Sequence, residues 1–221
     1  MLKTDDVHVE YTLRGQAIKA LDGVSLDITA GEFLAIVGPS GSGKSTLLQV
    51  MGGMLSPNQG RVFMDGESLY DQPVSRRASL RKSKVGFIFQ TFNLIPYLTA
   101  RQNVQIPLLL NNIPAPEQEQ LAADLLTQVG LGDRQDHKPG ELSSGQQQRV
   151  ALARMLANDP QVIFADEPTG SLDPETSGQV MDFLTDLHET GRTIIMVTHA
   201  PEAADRASRC IRIVDGSIVN A

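Results

Sequence analysis

Residues 38–46 constrain this chain more than any other stretch: Gly38, Pro39, Ser40, Gly41, Ser42, Gly43, Lys44, Ser45 and Thr46. They satisfy G-x-x-x-x-G-K-[ST], and their flanks match what the motif needs. The apolar run 33–37 reads as a buried strand entering the loop, and residues 46–51 read as the helix leaving it. Glycines let the backbone wrap a phosphate so that several N–H groups point inward. The helix N-terminus adds its partial positive charge at the same spot. In that frame Lys44 reaches the β- and γ-phosphates and Ser45 holds Mg²⁺. A chance match to the four fixed positions in a chain of this length is on the order of 1%, so the loop predicts nucleotide binding.

The 221 residues suit one sizeable α/β domain, and 41% hydrophobic with 20% charged residues is a globular balance. A net charge of −7 argues against a broad basic face for nucleic acid. The chain holds no 18-residue apolar run, and residues 1–6 lack the apolar core of a secretory signal. The single cysteine, Cys210, excludes an internal disulfide and a thiolate cluster. It reads as a small buried apolar residue, and a reducing, cytosolic location is expected.

Strand character is expected at 7–11, 24–28, 61–64 and 85–89, with Asp65 and Gly66 closing a turn. From about 91 to 143 the chain changes, with Pro96, Pro107, Pro114 and Pro116 breaking it. Residues 117–129 there carry Leu121, Leu125, Leu126 and Val129 at helical spacing. The unbroken apolar runs 162–165 and 193–197 suit parallel strands buried on both faces. A helix at 175–189 between them presents Val180, Phe183, Leu184 and Leu187, completing a βαβ unit.

Asp166 and Glu167 come directly after the 162–165 run, at the strand-end rim where such sheets bind ligands. Asp166 is placed to hold Mg²⁺, and Glu167 to accept a proton from, or orient, the attacking water. His199 comes after the 193–197 run toward the same rim and reads as a γ-phosphate contact. His8, His137 and His188 have no such placement and read as surface or packing residues.

Residues 142–149 (Leu142, Ser143, Ser144, Gly145, Gln146, Gln147, Gln148, Arg149) open a helix continued by 150–156, with Ser143 or Ser144 as its N-cap. The segment resembles L-S-G-G-Q, the signature of ATP-binding cassette (ABC) ATPases. Other motifs stand in that family's order: Gln90 as the Q-loop, 165–170 as the Walker B region, Asp173 in the D-loop at 171–173, and His199 as the switch histidine. Tyr11 matches the aromatic residue that stacks on adenine. The resemblance spans essentially the whole chain. It implies an α/β cassette: a P-loop NTPase core with a mostly parallel sheet, an antiparallel β part and a helical subdomain. The core and β part would take about 1–90 and 158–221 of a single domain, and the helical subdomain about 91–157.

The resemblance further implies a head-to-tail homodimer with two sandwiched ATP molecules. Ser143, Gly145, Gln146 and Asp173 would serve the partner's nucleotide, and Gln90 would sense Mg²⁺ and water. Within the family, residues 20–26, 89–96, 103–104 and 165–173 resemble the lipoprotein-releasing, macrolide-export and FtsE-like cell-division ATPases. Those pair with an integral membrane permease of few transmembrane helices, which places the ATPase peripherally on the cytoplasmic face of the inner or cell membrane. Part of the apolar stretch 91–112 would form a groove for a coupling helix of that permease. An ATPase governing cell-division or envelope machinery without cargo is the alternative. ABC ATPases that remodel nucleic acid or ribosomes usually carry a coiled-coil insertion or tandem cassettes, both missing here. An ATP-sensing module without turnover is disfavoured by intact Glu167 and His199. Ser144 departs from the usual Gly, at small expected cost if it starts the helix with ordinary angles.

Overall fold

The computed structural model describes residues 1–13 and 15–219. Two strands open the chain, β1 (Leu2–Leu13) and β2 (Gln16–Ile28), and pair as a long antiparallel hairpin with Tyr11 opposite Ile18. β4 (Gln59–Met64) and β5 (Glu67–Ser68), joined through Asp65 and Gly66, complete a four-stranded antiparallel sheet in the order β2-β1-β4-β5.

The second sheet has the order β10-β9-β3-β8-β7-β6. Its strands are β3 (Phe33–Val37), β6 (Val85–Ile88), β7 (Val162–Asp166), β8 (Thr193–Val197), β9 (Arg209–Val214) and β10 (Ser217–Ile218). All but the β9–β10 hairpin pair in parallel. Such a sheet is covered on both faces, and the period-2 alternation of each strand feeds two cores. Phe33, Ala35, Ile163, Ala165, Ile194 and Met196 point into one. Leu34, Ile36, Val162, Phe164, Ile195 and Val197 point into the other, which also takes the buried side of the antiparallel sheet.

The helices are α1 (Lys44–Met51), α2 (Val74–Lys84), α3 (Ala100–Leu110), α4 (Ala115–Gln128), α5 (Ser144–Leu156), α6 (Pro174–Glu189) and α7 (Pro201–Ala204). α3, α4 and α5 pack on one another, and Val104, Leu126 and Val150 join the first core. Among the described residues no helix is long and apolar enough to cross a membrane.

Two sequence expectations are corrected. Leu121 is exposed, because α4 turns Gln118, Ala122 and Leu126 inward instead. Cys210 is also exposed: alternation along β9 buries Ile211 and Ile213 and puts Cys210 with Arg212 on the solvent face. His8 lies between Asp6 and Asp22, and the His188 ring packs edge-on against Phe33.

Candidate functional site

Because β3, β6, β7 and β8 run parallel, the residues just beyond their carboxyl ends meet at one rim. The loop 38–43 leaves β3, Gln90 lies past β6, Asp166 and Glu167 lie at the end of β7, and His199 stands two residues beyond β8. A cavity of about 630 Å³ opens there, within the usual range for small-molecule sites. Gly38, Ser40, Gly41, Gly43, Lys44, Ser45 and Thr46 line it together with Gln90, Glu167 and His199. Tyr11 also lines it, joined by Ile18, Lys19 and Ala20 of the paired strand.

The loop's shape rests on glycine. Gly43, the N-cap of α1, has φ +100°, and a Cβ there would sit 2.1 Å from the Ala20 carbonyl oxygen. Lys44 Nζ donates to the carbonyls of Gly38 (3.0 Å) and Pro39 (2.8 Å), so the ammonium spans the loop. Ser45 Oγ donates to Asp166 Oδ1 at 2.9 Å. Burial raises the Asp166 carboxyl above its usual range, as does the neighbouring Glu167 charge, while the Ser45 bond and Lys44 pull the other way.

Glu167 adopts φ +49°, in the left-handed region that non-glycine residues seldom enter. Its N–H donates to the Val197 carbonyl, and Oε2 accepts from His199 Nδ1 at 2.8 Å. The His199 ring is largely exposed while the Glu167 side chain is mostly enclosed. A carboxylate held by an imidazole in the wall of this cavity can orient or deprotonate a water.

Ser143, Gly145, Gln146 and Asp173 do not line this cavity, nor do Pro39, Ser42 and Asp166, the last reaching it through Ser45. Ser143, not Ser144, is the N-cap of α5, and with Gln146 it forms a reciprocal capping box. Ser144 is the first helical residue and has no left-handed backbone. Gly145 packs against Thr176 so closely that a Cβ would lie 2.6 Å from the Thr176 methyl. Asp173 caps α6, accepting from Thr176 N (3.0 Å) and Oγ1 (2.7 Å), and these bonds hold its carboxyl below the usual range.

Three residues assigned no role from the sequence support the site. Lys19 joins the cavity wall through the hairpin register that brings β2 beside Tyr11. Gln148, fully buried, donates to the Pro168 carbonyl at 2.7 Å and ties α5 to the 166–170 loop. Arg154 donates to the carbonyls of Asn93 (2.6 Å) and Phe92 (2.7 Å), anchoring the segment after Gln90. The one local signal for Arg154 is a lone cation in the apolar run 150–156.

The ABC transporter family model matches residues 21–170. The chain belongs to the ABC transporter family. An uncharacterized ABC transporter ATP-binding protein of Thermotoga maritima is 47% identical over 213 residues, covering 96% of this chain and 91% of that protein. The macrolide export ATP-binding/permease protein MacB of Brucella melitensis is 46% identical over 220 residues, the whole of this chain. This ABC chain spans only 34% of that longer relative. Among solved structures, the ATP-binding cassette MJ0796, a post-hydrolysis dimer bound to ADP and Pi, superposes with TM-score 0.93 at 41% identity, covering 99% of this chain and 96% of its own. The chain is thus an ATP-binding subunit of the ABC transporter type, built as a cassette.

Proposed function

We propose that this subunit hydrolyses ATP, and that two copies close head to tail on two ATP molecules to move a membrane permease. The observation that carries the reading is the convergence of Lys44, Ser45, Gln90, Glu167 and His199 on one cavity at the strand-end rim. Tyr11 in its wall would stack on adenine, and the loop amides and Thr46 would take the phosphates. Lys44 would exchange its two carbonyl partners for phosphate oxygens, placing a positive charge where the leaving group gathers negative charge.

Ser45 Oγ and Asp166 Oδ1, hard oxygens 2.9 Å apart with Gln90 lining the same cavity, suit Mg²⁺. Ser45, Asp166 and Gln90 would hold it, and when bound it neutralises charge on the β- and γ-phosphates. Glu167 would orient the attacking water and accept its proton, steadied by His199, which also contacts the γ-phosphate.

Ser143, Gly145 and Gln146 stand at the N-terminus of α5, where free amides and the helix dipole favour an anion. Their absence from the lining of their own chain's cavity supports a site completed by a second copy, as does the dimeric MJ0796 cassette. We read residues 91–157 as the lobe that carries this helix end to the partner. The partner permease is supported by MacB relatives, described as ATP-binding/permease proteins. A groove of about 350 Å³ between Phe89 and Ile106, Pro107 and Leu110 would receive its coupling segment, leaving the cassette peripheral to the membrane's cytoplasmic face.

Removing a general base costs about 10²–10⁴-fold in rate. Glu167→Gln is therefore expected to bind ATP normally and lose at least about 100-fold in turnover, whereas Lys44→Ala loses binding itself. Parent-rate hydrolysis by Glu167→Gln would refute the assignment.

A further inference from the structure

A second cavity, of about 210 Å³, lies between the end of α4, the middle of α5 and the start of α6. That is room for roughly seven waters at ~30 Å³ each. Its lining is mixed: Val129, Leu152, Val180 and Phe183 are apolar, while Gln128, Arg149, Thr176 and Gln179 are polar.

Arg149 is the unusual member. Its Nε is shut off from solvent and has no hydrogen-bond partner. Its best contact, Nη1 to the Val129 carbonyl, is 3.5 Å, the outer limit of a hydrogen bond. Three other arginines have a buried Nε outside hydrogen-bond geometry, but each guanidinium is anchored. Arg192 pairs with Asp159, Arg209 with Glu32, and Arg77 reaches Ser56 and the Tyr70 ring. Among the described residues, no carboxylate forms an ion pair with Arg149. A half-buried guanidinium with no ion-pair partner beside a partly apolar cavity is costly, and a planar oxyanion satisfies it best.

We propose that this cavity binds a small amphipathic carboxylate, with the anionic head on Arg149 and the apolar body against Val129, Leu152, Val180 and Phe183. The occupant would bridge α4–α5 to α6. α6 begins at the Asp173 cap, and its Thr176 abuts Gly145. Occupancy would therefore fix the start of α5 relative to the 173–176 turn and change ATP turnover. That coupling, though not the binding, rests on the proposed roles of Ser143, Gly145 and Asp173.

The chain contains no tryptophan, so Phe183→Trp places the single tryptophan on the cavity wall, where it can be excited apart from the tyrosines. Titrated with octanoate without nucleotide, this variant should give a saturable signal. Octanol and octylammonium should bind at least about tenfold more weakly. Adding Arg149→Met should weaken octanoate at least about tenfold and leave octanol unchanged. If Arg149→Met does not fold, the same headgroup series on the unsubstituted protein, read by calorimetry, decides the point. Octanol binding as tightly as octanoate, or no saturable signal up to millimolar octanoate, overturns the proposal. Saturable octanoate binding that leaves ATP turnover unmoved overturns the coupling alone. With no nucleotide in the binding assay, its failure leaves the ATP-site reading intact.

Discussion

Gly43 shows how much of the site depends on one missing side chain. Its left-handed backbone starts α1, and the Ala20 carbonyl occupies the space a Cβ would take. Ala20 cannot retreat freely, since it lies in β2 and lines the same cavity. Strain at such a position costs about 1–3 kcal/mol, with the backbone clash added. Gly43→Ala should lower unfolding stability in urea by about 2 kcal/mol or more and weaken ATP binding more than tenfold. A variant with parent stability and affinity would mean that the loop is not held as described. At this scale the sequence is most legible. Lys44, Ser45, Asp166 and Glu167 can be placed because local spacing fixes their chemistry. Cys210 is misleading although Arg212, two positions along, shares its strand face; alternation carries the signal and residue type hides it.

Among the elements, the helix starts matter most to the site. α5 and α6 both begin with side-chain caps, Ser143 with Gln146 and Asp173 with Thr176. Asp173 makes a pH prediction. Its folded-state pKa is depressed by the Thr176 bonds, so its contribution is fully present above the ordinary value of 3.8 and fades as pH falls through the lowered one. The Thr176 amide resonance should hold steady from neutral pH down to about 4 and move only below it. Asp173→Asn should remove that acid movement, and a shift well above pH 4 would contradict the cap. The helices at 144–156 and 174–189 are visible in the sequence, the first by its serine cap and the second, read as 175–189, by its apolar stripe. Their tethers are not: Gln148 reaches Pro168 and Arg154 reaches Asn93 across loops that no local pattern connects. Leu121 fails for a related reason, since spacing gives a stripe but not which neighbouring stripe faces inward.

The whole molecule sets a parallel sheet between two cores so that four strand ends share one rim. That arrangement can be anticipated from the uninterrupted runs at 162–165 and 193–197. The position of the helical lobe cannot, because α3, α4 and α5 join the first core through scattered residues. Leu109 and Leu110 remain exposed at the end of α3, beside the groove proposed for the permease. Leu110→Glu should release a copurifying membrane partner while leaving the basal ATPase rate of the isolated subunit within about twofold. Retained partner binding would move the docking face elsewhere. The central claim is that the cavity is half of an ATP site and that a second copy supplies the other half. Sedimentation of Glu167→Gln tests it most directly. With ATP and Mg²⁺ it should run at twice the mass of one chain, and with ADP, or with Ser143→Arg added, at the mass of one. A Glu167→Gln chain that binds ATP yet stays monomeric would contradict it.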